Sequence, residues 1–137
     1  VGQRVVIIGG GLVGAETGIH LLELGHQVTI VEMTDKVAAD CAGSHHEACL
    51  SRLEDATILM NTKCVAVSKE GVTVEQDGQQ TTLPADTVIL AAGMKALTKE
   101  AYALGTDVVD FSVLGDAVKP GKIQDATRTG FFAAMNL

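Results

Sequence analysis

Three glycines and one glutamate carry the clearest chemical meaning in this sequence. Gly9, Gly11 and Gly14 fall in the spacing G-x-G-x-x-G, with Gly10 between the first two. Gly9 lets a chain turn sharply. Gly11 has no side chain, so a charged group can come close to the main chain. Gly14 lets the segment that follows pack tightly. Leu12 and Val13 complete the turn, and a helix starting there points its first N–H groups and the positive end of its dipole at the same place, an arrangement that binds phosphate. Glu32 stands 18 residues after Gly14, where a carboxylate accepts both hydroxyls of an adenosine ribose and repels a 2′-phosphate. Met33, Thr34 and Asp35 bring no arginine for such a phosphate, and Lys36 is the only cation nearby in sequence. The chemistry is that of holding the ADP half of a dinucleotide, NAD(H) in preference to NADP(H). A turn that merely packs a helix on a strand needs no acid at position 32. An S-adenosylmethionine site also uses a glycine turn and an acid, but usually with a different glycine arrangement.

For these residues to meet, the chain must run strand, turn, helix, strand. Arg4–Ile8 is a short β-branched run that reads as a parallel strand covered on both faces. Residues 12–24 keep helical spacing, with Val13, Thr17, Leu21 and Leu24 along one stripe, and Gly25 stops them. Gln27–Val31 is a second strand, closed by Glu32. Together these make a βαβ unit. Residues 34–42 read as loop with a short turn, and 43–53 as a helix with Ser44 as N-cap and Glu47 three residues on. Residues 57–60 read as a third parallel strand. Residues 63–68, 72–76 and 80–83 are β-rich, with turns at Glu70-Gly71 and Asp77-Gly78, and so form a meander of hairpins. Residues 86–92 read as another buried strand ending at Gly93. A helix over 98–104, a short strand over 111–114 and a helix over 124–136 follow. The fold class is α/β: a Rossmann-like parallel sheet with flanking helices and a small antiparallel β-meander.

Composition narrows the partners. The net charge of −7 provides no basic patch to replace the counterions of a nucleic acid. A small anion is not excluded, because backbone N–H groups at a helix start bind phosphate on an acidic protein too. The longest apolar stretch, 88–92, has strand length, far short of a membrane span. Cys41, Cys49 and Cys64 are odd in number and form no C-x-x-C pair, so a reducing compartment, the cytoplasm, is expected. The chain enters a strand almost at Val1 and ends directly after a helical pattern, so both ends are expected to be cut from something longer.

Other residues invite chemistry and receive plainer readings. Cys41, His45 and Cys49 are spaced i, i+4, i+8, with His46 alongside. On one continuous helix Cys41 and Cys49 stand about 12 Å apart, too far to bind one ion, so no metal is expected. Lys119, Lys122 and Arg128 can meet a cofactor phosphate but more often such residues are solvated. Phe131 and Phe132 are expected to fill core or bury an interface rather than stack on a base.

The run Val6-Ile-Ile-Gly-Gly-Gly-Leu-Val-Gly-Ala-Glu16 resembles the NAD(P)H domain of two-dinucleotide-binding-domain flavoproteins. In that group this domain is inserted into an FAD domain, and its order of strand, helix, strand, meander and exit strand matches the order above. Val88-Ile-Leu-Ala-Ala-Gly93 resembles the group's exit motif, with Ala92 where Thr is usual. Val113-Leu-Gly-Asp116 is similar to the Gly-Asp motif whose acid holds the flavin ribityl chain. Gly115-Asp-Ala-Val-Lys-Pro-Gly-Lys-Ile-Gln-Asp-Ala126, followed by Gly130-Phe-Phe-Ala-Ala134, is similar to the C-terminal end of the 2,4-dienoyl-CoA reductase, enoate reductase and trimethylamine dehydrogenase group of NADH:flavin oxidoreductases.

The resemblance implies an NAD(H)-binding domain over 1–93 and, over 94–137, a tail like the end of an FAD-binding domain. It implies FAD, FMN and a 4Fe–4S cluster in the intact parent. The FMN barrel, the cluster ligands and the first FAD glycine motif are not in this sequence. By resemblance, Glu16 lies near the nicotinamide; on the bare sequence it is equally an ordinary early-helix glutamate. Two functions stay open: a module that binds NADH and presents it for hydride transfer to a flavin, and a non-catalytic module that holds ADP or serves structure. The partners implied are the dinucleotide and the remaining domains of the parent. Phe131, Phe132 and Met135 are candidates for a homodimer contact.

Overall fold

The β-branched run Val5-Val6-Ile7-Ile8 lies in the middle of a four-stranded parallel sheet. The computed structural model describes residues 1–41 and 43–136, and the chain divides into two compact units, Val1–Gly93 and Met94–Leu137. In the first unit β1 (Arg4–Ile8) leads through α1 (Leu12–Glu23) to β2 (Gln27–Val31), then through α2 (Gly43–Arg52) to β3 (Thr57–Leu59). The antiparallel strands β4 (Lys63–Val67), β5 (Gly71–Gln76) and β6 (Gln79–Pro84) follow, and β7 (Thr87–Leu90) returns to the parallel sheet. The strand order is β3-β2-β1-β7, and the separate sheet runs β4-β5-β6. β1 therefore has β2 on one side and β7 on the other, with Ile7 paired to both Ile30 and Ile89.

The period-2 geometry of β1 sorts its side chains to two cores. Val5 and Ile7 join Val28 and Ile30 against Ala15 and Ile19 of α1, Cys49 of α2 and Leu53 just after it. Val6 joins Val31, Val72 and Val74 under the meander. Each fully buried Val or Ile here stabilises by about 1.5–3 kcal/mol relative to exposure. Both faces of the sheet are covered, as a continuously apolar parallel strand requires.

α1 ends in a Schellman closure: Gly25 N–H donates to the Leu22 carbonyl at 2.9 Å and His26 N–H to the Leu21 carbonyl at 3.0 Å. Its buried face differs from the expected stripe. Val13 and Leu24 are exposed, while Gly14, Ala15, Gly18, Ile19 and Leu21 are buried. Small residues let the helix press onto the sheet: a Cβ at Gly18 would come to 3.2 Å from Ile30 Cδ1. Residue size thus sets the packing face, and counting large apolar residues misplaced it.

Three further expectations are corrected. Ser44 lies inside α2, which begins at Gly43, so it is not the cap. β7 is shorter than 86–92 and only half-buried, because it is the edge strand of its sheet. Residues 111–114 form no strand: the second unit contains α3 (Thr98–Ala103), a 3-10 turn (Gly115–Ala117) and α4 (Ile123–Ala134), and without a neighbouring strand in that unit 111–114 has no ladder to join. Among the described residues no helix is long and apolar enough to cross a membrane.

Candidate functional site

At the carboxyl end of β1 the chain leaves the sheet through Gly9, whose φ is +106°. Gly9 N–H still donates to the Val31 carbonyl at 2.9 Å, continuing the ladder by one bond. A Cβ at Gly9 would collide with the Ala91 carbonyl oxygen, and one at Gly14 with the Gly9 carbonyl oxygen. Gly10 is tight too: its Cβ would lie 2.9 Å from Glu32 Cβ. These three glycines are explained by the protein's own packing. Gly11 is not. A Cβ there meets no atom within 4 Å, although Gly11 is the N-cap of α1 with ordinary extended backbone (φ −63°, ψ −178°).

The space beside Gly11 is a cavity of about 560 Å³. It sits at the carboxyl ends of β1, β2 and β7, where the chain order reverses, the usual place for a ligand in an open α/β sheet. Gly9, Gly11, Leu12, Val13, Glu32 and Gly93 line it, so six of the residues singled out by sequence come together. Gly10 and Gly14 stand behind the wall. Val13 is exposed because it faces this space.

Glu32 is nine-tenths buried. Its Oε2 accepts Gly10 N–H at 2.6 Å, and its Oε1 accepts Thr34 N–H at 2.8 Å and the Thr34 hydroxyl at 2.9 Å. Burial pushes the carboxyl upward, but these hydrogen bonds, led by the one from Thr34 N–H, outweigh it and hold Glu32 below the usual carboxylate range. Each carboxylate oxygen has two lone pairs; both of Oε1 are engaged, and one of Oε2 remains for a ribose hydroxyl.

Sequence reasoning missed part of the lining. Asp40 Oδ1 accepts Leu12 N–H at 3.2 Å, placing a carboxylate on the first turn of α1. Nothing in its spacing signalled this, because a loop of irregular backbone carries it there. The cation that lines the cavity is Lys63 from β4; Lys36 does not line it. Thr62 and Cys64 come from the same crossing into the meander.

Glu16 is not among the cavity residues. It lines a groove of about 220 Å³ between α1 and α2, with Ile19, His20, Glu23, His45, Cys49 and Arg52. Arg52 and Glu23 form an ion pair across it. The separation argued for Cys41 and Cys49 also fails. α2 begins at Gly43, Cys41 belongs to the loop before it, and the ligand atoms of Cys41, His45 and Cys49 lie within 4.8 Å of one another.

In the second unit, Asp116 is in the 3-10 turn and its Oδ1 accepts Gly121 N–H at 3.1 Å. Gly115 N–H donates to Thr129 Oγ1 at 3.1 Å, tying the turn to α4. Lys122 N–H donates to Asp125 Oδ2 at 3.0 Å and caps α4. Lys119 and Arg128 are exposed. Phe131 and Phe132 are exposed as well, their rings 5.6 Å apart edge to face, so they fill no core within this chain.

The family model for pyridine nucleotide-disulphide oxidoreductase matches residues 1–118. Among curated relatives, the NADH oxidase of Thermoanaerobacter brockii is 36% identical over 139 residues, 98% of this chain and 21% of its own length. The bilirubin reductase of Mediterraneibacter gnavus is 35% identical over 134 residues, 96% of this chain and 21% of its own. The solved complex of 2-naphthoyl-CoA reductase with 2-naphthoyl-CoA superposes with a TM-score of 0.83 at 25% identity, covering 100% of this chain and 21% of that one. The chain spans about a fifth of the length of these relatives.

Proposed function

This chain belongs to the pyridine nucleotide-disulphide oxidoreductase family, and on that premise we propose that it binds NADH and presents it for hydride transfer to a flavin held elsewhere in a longer protein. The observation that carries the reading is the open space at Gly11. The glycine turn keeps that position bare although the protein itself needs no room there. In this reading the pyrophosphate lies against the Gly11–Val13 turn at the start of α1, and Glu32 takes the adenosine ribose. Asp40, now on Leu12 N–H, moves aside for the phosphates. Hydride donation is the chemistry of the bound cofactor; this chain's residues bind and orient it.

The finer placement, within the NADH:flavin oxidoreductases of the 2,4-dienoyl-CoA reductase, enoate reductase and trimethylamine dehydrogenase group, draws on the similarity to an NADH oxidase and to a cinnamate reductase of Clostridium sporogenes. FAD follows from the family, with Asp116 as a contact to its ribityl chain in the parent protein. Glu16 supports a second reading. It faces the α1–α2 groove rather than the cavity, so the residues assigned to the pyridine dinucleotide all read its ADP half. A module that holds ADP alone would look the same.

Calorimetric titration of the chain with NADH, NADPH and ADP, side by side, tests both. Tight NADH with weak NADPH is the expected result. Equal affinity for NADH and ADP would establish the ADP module instead. Gly11→Val should abolish binding while the protein stays folded, since a Cβ there meets no atom within 4 Å and the position borders the cavity; unchanged NADH affinity in that variant would sink the site.

A further inference from the structure

The groove between α1 and α2 ends at a group of residues that the dinucleotide reading does not use. The thiols of Cys41 and Cys49 and the imidazole of His45 bring three ligand atoms within 4.8 Å of one another. His45 and Cys49 stand four residues apart on α2 and share a face, with Cys49 Sγ 3.8 Å from His45 Nε2. Cys41 reaches them from the loop. That loop is fastened to its surroundings at two points and closed on itself at a third. Ala38 N–H donates to the Gly10 carbonyl at 2.6 Å, Cys41 N–H donates to the Ala38 carbonyl at 2.9 Å, and His46 Nε2 meets the Val37 carbonyl at 2.9 Å. Ala38 takes a positive φ of 50°, which turns the chain back toward the helix. The third ligand is thus held close by the protein's own bonds, with His46 joining loop to helix.

We propose that Cys41, His45 and Cys49 bind a four-coordinate soft transition-metal ion, zinc(II) in the first place. Two thiolates and an imidazole are a donor set for zinc, not for magnesium or calcium, which take oxygen. Bonds of about 2.3 Å to sulfur and about 2.0 Å to nitrogen place tetrahedral ligand atoms about 3.3–3.8 Å apart. Closure from 4.8 Å asks for roughly 1 Å of contraction. Rotation of the exposed His45 and the half-buried Cys41 side chains supplies it, while Cys49, buried at 4% exposure, stays fixed. Both thiols bind as thiolates and release their protons to solvent. The fourth position opens to the groove that His45 and Cys49 line together with Glu16 and His20, and water or one of those side chains completes the shell. The ion would clamp the loop that carries Asp40, a wall of the dinucleotide cavity, onto α2. The site shares no residue with the proposed dinucleotide contacts, Glu16 included, since it faces the groove and not the cavity, so either reading can fail without the other.

The test is titration of the reduced 137-residue chain with zinc(II) against a chromophoric competitor, with cobalt(II) as the spectroscopic stand-in. One equivalent should bind with Kd below about 1 µM, and cobalt should show thiolate charge-transfer and the intense d–d bands of four-coordination. Cys41→Ser and His45→Asn should each weaken binding at least about tenfold, and Cys64→Ser should leave it unchanged. His45 is exposed and Cys41 is half-buried at the margin of the core, so these two variants disturb folding less than Cys49→Ser, and His45→Asn keeps the test open if Cys41→Ser is destabilised. Zinc should also slow alkylation of Cys41 and leave that of Cys64 unaltered. No saturable binding, a Kd indifferent to both variants, or equal alkylation of Cys41 with and without zinc would overturn the proposal. So would a Cys41–Cys49 disulfide that forms under mild oxidation as readily with zinc present as without it.

Discussion

Glu32 keeps its charge at the sheet edge because Gly10 N–H, Thr34 N–H and the Thr34 hydroxyl all donate to it. A second carboxylate, Asp86, does similar work at the other end of the strands. Its Oδ2 accepts Arg4 N–H at 2.9 Å and its Oδ1 pairs with the Arg4 guanidinium at 2.6 Å, fastening the approach to β7 onto the start of β1. The hydrogen bonds from Arg4 lower the Asp86 carboxyl from 3.8 to about 2. A carboxyl lowered on folding contributes stability in full above its unfolded value and loses it as pH falls toward the folded value. Stability should therefore decline as pH drops from about 4 toward about 2, with Glu32 adding to the same acid limb. Asp86 is solvent-facing, so its share is screened by salt. Thermal melts of the protein and of Asp86→Asn across this range check it. The variant should lose the part of the acid slope that high salt also removes; an identical slope in both would deny Asp86 the role.

α1 and β1 meet through residues that cannot grow. Gly14→Ala would drive a methyl into the Gly9 carbonyl oxygen, which cannot move without breaking the turn, and overpacking of this kind costs about 1–3 kcal/mol. For a unit of this size that lowers the melting temperature by about 4–8 °C per kcal/mol. Gly11→Ala, with nothing within 4 Å, should leave it nearly unchanged. Equal losses in calorimetric melts of the two would mean that the glycine spacing serves packing alone. The same elements show what a sequence reveals. β1, β2 and the meander were legible because β-branched runs and paired turn residues such as Asp77-Gly78 encode them locally, and Glu32 because it directly follows β2. The buried face of α1 was hidden because glycine and alanine set it. Asp40 and the approach of Cys41 to Cys49 were hidden because Ala38, a non-glycine residue at positive φ, directs that loop. The missing strand at 111–114 shows the limit of local pattern: extended residues become a strand only beside another.

The two units differ in what holds them. In the first, the sheet is buried on both faces, with Ile7 and Ile30 fully enclosed. In the second, no described residue is buried at all, and the apolar side chains of Ile123, Phe131, Phe132 and Met135 lie largely exposed. Its cohesion rests on the hydrogen bonds of Gly115 to Thr129 and of Thr98 Oγ1 to the Ala117 carbonyl, and on the helix ladders themselves. Short helices without buried contacts are marginal in water, and local opening free energy follows buried apolar contact. Hydrogen exchange followed by mass spectrometry should therefore show two classes. Amides of β1 and β2 should exchange only at the global unfolding rate. Those of α3 and α4 should exchange orders of magnitude faster, and a dinucleotide bound at the glycine turn should slow α1 and β1 without slowing α4. Comparable protection in α4 and β1 would mean that something buries the apolar face of α4 in solution. A second copy of the chain is the first such cover to test: the protection would then rise with protein concentration and fall when Phe131 is replaced by glutamate.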